Sequence, residues 1–186
     1  MKKIILFGDS IFNGFCNHQN TNLVTNLFQD FLGNNYQVIN ISKSGATTIE
    51  GIDYLKQIPK NDLVVIEYGT NDAASDWGVS LENYSKNLQT MANYIGSQKC
   101  IIVGPFLPDP NNFEINQFYQ NIADFNQVAK YIAKQNHIPF INMISVFSKL
   151  PNISSYYQKD GQHLTNKGNQ LLVKTIAPTI LSKLKD

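Results

Sequence analysis

Short unbroken apolar runs alternate along the chain with longer stretches in which apolar residues recur every three to four positions. The runs predict strands over 3–7, 36–41, 62–68, 100–103 and 139–143. Within the third, Leu63-Val64-Val65-Ile66 shows no polar alternation, as expected of a strand buried on both faces. The periodic stretches predict helices over 22–32, 48–58, 80–95, 113–135 and 165–184. Leu23, Leu27, Phe28 and Phe31 mark the inner face of the first helix. Leu81, Tyr84, Leu88, Met91 and Ile95 mark that of the third. Gly33 and Pro59 supply stops, and Ser80 is placed as an N-cap. Pro178 lies inside the last helix and should kink or split it.

A β-α alternation built from buried-type strands predicts a parallel sheet covered on both faces and joined by right-handed crossovers. The expected architecture is a three-layer α/β/α domain. Its five-stranded, flavodoxin-like parallel sheet should have the order 2-1-3-4-5. The 186 residues read as one domain, 1–186, with no internal repeat and no linker. A chain of this length buries roughly 70% of its unfolded surface, so its core needs neither a disulfide nor a structural metal.

Composition narrows the function. Hydrophobic residues at 42% and aromatics at 11% exclude dominant disorder. Charged residues are only 16%, with Asn and Gln in their place. The 15 basic residues are all Lys and the net charge is +1, so no basic field is available for nucleic acid. Without Arg, the planar fork that grips phosphate bidentately is also missing. Cys16 and Cys100 fit no zinc spacing and no CxxC motif, and read as ordinary half-buried free thiols. The start Met1-Lys2-Lys3 imitates a signal peptide, but the apolar run Ile4–Phe7 stops at Gly8, short of the ~7–15 residues required. No stretch reaches the ~20 apolar residues of a membrane span. The expected location is the cytoplasm.

Ligands of such sheets bind outside the carboxyl ends of the strands. Strand 1 runs into Gly8-Asp9-Ser10, strand 2 into Ser42-Lys43-Ser44-Gly45, and strand 3 into Gly69-Thr70-Asn71-Asp72. Just before the last helix stands Asp160-Gly161-Gln162-His163-Leu164-Thr165, able to fold over the same rim. Together these are the parts of acyl transfer. Ser10 is a hydroxyl that needs a base, His163 is an imidazole, and Asp160 is a carboxylate one turn away that can orient it. The Ser10 N–H, the Gly45 N–H and the Asn71 amide are donors for an oxyanion. Each motif alone is weak, since a strand-end turn or a helix cap explains it. Their order along the chain is what points to a site.

With these residues the chain resembles the GDSL or SGNH hydrolases. Gly8-Asp9-Ser10-Ile11 matches the first block, with Ile in place of the name-giving Leu. Gly45 matches the second block, Gly69-Thr70-Asn71-Asp72 the third, and Asp160-Gly161-Gln162-His163 the fifth. The likeness runs from position 4 to about 176. It implies Ser10 as nucleophile, His163 as base and Asp160 as its orienter. It further implies Ser10, Gly45 and Asn71 as the oxyanion hole, with no metal and no cofactor. The Gly-x-Ser-x-Gly elbow of the α/β-hydrolases is absent.

The remaining candidates are less defined. Asp9 is expected to support the nucleophile turn. Trp77, Phe106, Leu107, Tyr156 and Tyr157 are expected near the substrate. His18 and His137 lack an acidic partner, and His137 sits at a helix end. Glu67, an acid in an apolar strand, needs a partner, with a hydrogen bond near Asn71 as the expectation. The functional expectation is a carboxylic ester hydrolase working through an acyl-serine on a small-molecule ester. Short acyl groups are favoured, acetyl on carbohydrate among them. The alternatives are a lysophospholipase or thioesterase for longer chains, and a catalytically dead ligand-binding module of the same fold. A magnesium-dependent phospho-acceptor could use Asp9 and Asp72, but it leaves His163 and Asn71 without a role and lacks its Lys after strand 5. Oligomeric state is not legible.

Overall fold

β1 (Lys2–Gly8), β2 (Tyr36–Asn40), β3 (Leu63–Glu67), β4 (Cys100–Val103) and β5 (Phe140–Ile141) form one parallel sheet in the order β2-β1-β3-β4-β5. The computed structural model describes residues 1–119 and 121–185. Successive side chains on a strand point to opposite faces, so each apolar run feeds two cores. Ile4, Leu6, Leu63, Val65, Ile101 and Val103 face the layer of α1 (Leu23–Leu32) and α7 (Asn166–Lys183). Ile5, Phe7, Val64, Ile66, Cys100 and Ile102 face α2 (Thr48–Tyr54), α3 (Leu81–Ile95) and α5 (Ile122–Gln135). The three layers, the strand order and the parallel pairing are those expected from the sequence. No helix among the described residues is long and apolar enough to cross a membrane.

Helix starts follow local chemistry. The Ser80 side chain accepts the Asn83 N–H and begins α3. Thr47 opens α2 through a capping box: its hydroxyl accepts the Ile49 N–H, while Glu50 accepts the Thr47 N–H at 2.7 Å. Three expectations need correction. The fifth strand is only two residues long, because the Asn142 side chain accepts the Ser145 N–H and starts a short helix, α6 (Met143–Phe147). The expected helix over 113–135 is two helices, α4 (Phe113–Asn116) and α5, with position 120 outside the described residues. At the break, the Asn116 amide donates to the Asp109 and Asn112 carbonyls, a side-chain bond that competes with helical continuation. α7 runs unbroken through Pro178. Pro178 and Lys174 both lie on the exposed face, so the carbonyl freed by the missing N–H meets water. Two inner-face expectations also fail: on α1 Phe31 is exposed and Val24 and Leu32 join Phe28 in the buried stripe, and on α3 Leu81 is exposed and Ala92 completes the stripe.

Gly8 closes β1 opposite Glu67, where the two backbones come too close for a side chain. A Cβ on Gly8 would lie 2.3 Å from the Glu67 carbonyl oxygen and 2.9 Å from Glu67 Oε2. Gly8→Ala should therefore destabilise the fold by about 1–3 kcal/mol, the usual range for overpacking. The check is a lower urea midpoint with an unchanged m-value; a midpoint equal to wild type would contradict it.

Candidate active site

The turns that leave β1, β2 and β3 are tied to one another at the carboxyl rim of the sheet. The Lys43 N–H donates to the Gly8 carbonyl at 2.9 Å, holding the loop after β2 against β1. The Asn71 amide donates to the Ala46 carbonyl at 3.0 Å, holding the same loop against the turn after β3. The turn before α7 reaches this rim from the far end of the chain. It is anchored by the Gln158 N–H on the His163 carbonyl and the Asp109 N–H on the Gly161 carbonyl, both 2.7 Å.

These ties bring together residues 153 positions apart. His163 Nε2 lies 3.0 Å from Ser10 Oγ, and His163 Nδ1 lies 2.8 Å from Asp160 Oδ2. Asp160 Oδ1 accepts the N–H groups of Gln162 and His163, both at 2.9 Å. Partial burial alone would raise the Asp160 pKa. The hydrogen bonds from the His163 ring and from these two N–H groups outweigh it and bring the carboxyl down to about 2. The Phe15 ring lies against the imidazole with centroids 4.5 Å apart. Ser10 is buried except for a narrow exposed edge. Neither the Ser10 nor the Gly45 N–H donates to a backbone acceptor among the described residues. Gly45 has φ +78 and nothing within 4 Å of where a Cβ would stand, so its amide edge faces open space. The arrangement is an aligned hydroxyl, imidazole and carboxylate beside unpaired backbone donors. Such an arrangement can deprotonate a hydroxyl and stabilise charge on a carbonyl oxygen.

The model of the GDSL-like Lipase/Acylhydrolase family matches residues 6–171. The chain belongs to this family. It is similar to the lipase/acylhydrolase from Enterococcus faecalis, at 30% identity over 97% of this chain and 95% of that one, with a TM-score of 0.90. It is similar to TesA at 25% identity, over 98% of this chain and 99% of that one, with a TM-score of 0.78. An acetyl xylan esterase from Geobacillus stearothermophilus shares the fold at 21% identity, over 95% and 93% of the two chains, with a TM-score of 0.74. No curated protein sequence matches the chain. As a GDSL-like acylhydrolase the protein is a serine ester hydrolase.

Beneath the acylhydrolase site lie three buried acids. Asp9 Oδ1 accepts the Ile11 N–H at 2.8 Å, and its Oδ2 accepts the Asn71 amide at 3.3 Å. It thus braces the turn that carries Ser10, and with no exposed surface it cannot touch a substrate. Asp72 Oδ1 accepts the Thr48 N–H at 2.9 Å and the Thr48 hydroxyl, tying the turn after β3 to the start of α2. Glu67 is fully buried, and among the described residues only Asp9 bears on its carboxyl oxygens as a hydrogen-bond partner, so the expected bond near Asn71 is not made. Burial raises the pKa of Asp9 to about 7 and of Asp72 to about 6, against the hydrogen bonds that favour their ionised forms.

Other expectations are revised. Phe106 is a core residue at 1% exposure, packed edge-on against Phe147, and is sealed from any ligand. Tyr157 is also buried, its hydroxyl donating to the Leu107 carbonyl, while Leu107 is half-buried against the core. Tyr156 is half-buried against Phe147, with Lys167 over its ring. Trp77 is 53% exposed and lies against Phe118, with its ring centroid 6.0 Å away. His18 and His137 are exposed and adopt positive φ; His18 lines the cavity beside Asp160 but hydrogen-bonds to neither Ser10, His163 nor Asp160 among the described residues. Cys16 and Cys100 are free thiols, half-buried and buried. Phe15, Gln158 and Tyr119 escaped sequence reasoning because they sit in loops without periodicity; the Tyr119 hydroxyl is buried and unpartnered among the described residues.

The acids set the stability profile. Asp9 and Asp72 have folded pKa values above the ordinary 3.8, so the folded state holds more protons than the unfolded chain between about 4 and 7. Stability then falls as pH rises through that window. Asp160 acts oppositely: its contribution is present above 3.8 and is lost as pH falls towards about 2, weakened by its exposed edge. The melting temperature should therefore peak near pH 4, and Asp72→Asn should flatten the decline towards pH 7. A melting temperature that climbs steadily from pH 4 to 7 in the wild type would contradict the assignment.

Proposed function

We propose that this acylhydrolase cleaves carboxylic esters through an acyl-serine on Ser10, acting on short acyl groups, acetyl foremost, carried by a polar alcohol such as a carbohydrate. The observation that carries the reading is the 3.0 Å and 2.8 Å hydrogen-bonded chain from Ser10 through His163 to Asp160, beside the unpaired N–H groups of Ser10 and Gly45. In the first step Ser10 Oγ attacks the ester carbonyl and His163 Nε2 takes its proton. Asp160 holds the Nδ1–H and stabilises the imidazolium. The Ser10 N–H, Gly45 N–H and Asn71 amide receive the oxyanion. His163 then protonates the departing alkoxide. Water, deprotonated by His163, releases the acid from Ser10 and restores the hydroxyl.

The surroundings support a polar leaving group. Two cavities of about 670 and 650 Å³ flank the Asp160 turn. Their walls include Asn111, Asn112, Gln158 and Lys159 in the first, and Asn17, Asn166 and Asp160 in the second. The second cavity also carries Phe15 and Cys16 and is mostly apolar, so the amides of both offer hydrogen bonds to a hydroxyl-bearing ligand beside apolar surface. An apolar cavity of about 420 Å³, lined by Leu27, Phe31 and Val173, lies instead between α1 and α7. The name printed for the Geobacillus relative, an acetyl xylan esterase, agrees with this reading.

Ser10→Ala should abolish hydrolysis of p-nitrophenyl acetate while keeping the melting temperature, and a fluorophosphonate should label Ser10 alone. Activity surviving in that variant sinks the mechanism. Across p-nitrophenyl acetate, p-nitrophenyl octanoate and acetylated oligosaccharides, kcat/KM should favour the acetyl esters; a preference for octanoate selects the long-chain reading. Asn71→Ala should lower kcat by about 10²–10³-fold with KM little changed, the usual loss for one oxyanion donor. A folded variant within about threefold of wild-type kcat, with chemistry limiting, would remove Asn71 from that role.

A further inference from the structure

Glu67 is a full acid in the centre of the sheet that the hydrolytic chain does not use. It ends β3 directly opposite Gly8 and beside Val103 of β4. Its carboxyl lies over the Gly8 backbone, in space that exists only because residue 8 has no side chain. Both oxygens are sealed from solvent, and among the described residues the only groups that bear on them as hydrogen-bond partners are the backbone N–H and the carboxyl of Asp9. A buried carboxylate in that state is far too costly to persist, so the group must hold a proton or share one.

The neighbour able to share is Asp9, one residue beyond Gly8. Burial first, and then the negative charge of Asp9, hold the Glu67 carboxyl well above the usual carboxylate range. The groups that bear on this pair are Asp72 from the turn after β3, and His163 from the turn before α7. The charge of Asp9 also acts on the buried phenols of Tyr68, Tyr84 and Tyr119, and Glu50 of α2 acts on Asp72. The cation that acts on Asp9 is His163 in its protonated form, which is itself transient in the proposed cycle.

Asn71 is where this matters for catalysis. One hydrogen of its amide is committed to the Ala46 carbonyl at 3.0 Å. The other faces Asp9 Oδ2 across a long 3.3 Å contact. An oxyanion in front of Asn71 competes with Asp9 for that second hydrogen. We propose that Glu67 is a positioning residue of the oxyanion pocket: it shares one proton with Asp9, so that a single negative charge lies under the pocket and the Asn71 hydrogen is free for the oxyanion. The proton stays between the two carboxyls throughout the cycle, and no bond to substrate is made or broken there. When the pair loses it, two charges pull the Asn71 hydrogen inward and repel the oxyanion, and kcat falls. The role in turnover rests on the acyl-serine reading above; the shared proton does not.

Two measurements test the proposal separately from that reading. The first uses the unaltered protein with δ-¹³C-glutamate. Of its four glutamates only Glu67 is buried. An infrared band of a protonated carboxylic acid, shifted by the label, is expected at neutral pH and should disappear in Glu67→Gln. Its absence overturns the proposal whatever Ser10 does. The second compares kcat and KM against pH for wild type, Glu67→Gln and Glu67→Leu. Wild-type kcat should decline on the alkaline side while KM holds. Glu67→Gln keeps a donor and cannot ionise, so it should retain kcat within about threefold at neutral pH and lose the alkaline decline. Glu67→Leu keeps bulk without a donor and should lower kcat about tenfold or more at unchanged KM. A folded Glu67→Leu enzyme with the wild-type kcat and pH profile overturns the positioning role. So does a Glu67→Gln enzyme with the wild-type alkaline decline. Loss of the acyl-serine reading would show instead as hydrolysis surviving Ser10→Ala with the infrared band intact.

Discussion

A buried carboxylate has to find donors, and in this protein that requirement falls on Asp9. It stands immediately after the central strand with no solvent to share its charge. It takes one N–H from its own turn, at Ile11, and one from the side chain of Asn71 after β3. The first bond shapes the turn that presents Ser10. The second joins that turn to a loop 62 residues away. Because Asn71 also holds the Ala46 carbonyl, the loop carrying Gly45 is drawn into the same arrangement. Three separate segments are thus positioned by one charge that cannot be left unpaired.

The sheet makes this possible by leaving the strand ends empty of apolar side chains. β1 is apolar from Ile4 to Phe7 and β3 from Leu63 to Ile66, and each then ends on a glycine or a glutamate. The sealed core below keeps the dielectric low, so the acids at the rim interact strongly with each other and with the hydroxyl, imidazole and amides above them. A polar layer on an apolar floor is stable only if its hydrogen bonds are nearly all made. Here most are: Asp72 is satisfied by Thr48 on one oxygen, and Asp160 by two N–H groups and an imidazole. The unsatisfied side-chain atoms among the described residues lie on Ser42, Glu67, Asp72, Tyr119 and Asn126, and Ser42, Glu67 and Asp72 stand at the ends of β2 and β3.

The turn from Asp160 to His163 is held differently. No strand carries it, and it is fastened by loop-to-loop backbone bonds from Gln158 and Asp109 and by the Phe15 ring against the imidazole. These are contacts between segments with no shared periodicity. They leave one edge of Asp160 open to the amide-lined cavity beside it.

The strand order, the three layers and most of each helix's apolar face were legible in the sequence, because burial imposes periods of two and 3.6 that any segment displays locally; Phe31 and Leu81 fit the period yet stand exposed. So were the motifs that meet at the rim, since each sits at a strand end or helix start that periodicity locates. Local chemistry also decided two boundaries that periodicity blurred: Asn142 starts a helix where a strand was expected, and Asn116 breaks one. Tertiary structure alone decided which loop aromatics reach the surface, because Phe106 and Trp77 look alike in sequence yet one is sealed and the other open. It alone decided that Phe15 lies on His163, and that Glu67 meets Asp9 and not Asn71. Those outcomes depend on what a distant segment brings to within a few ångströms, and a single chain position carries no record of that distance.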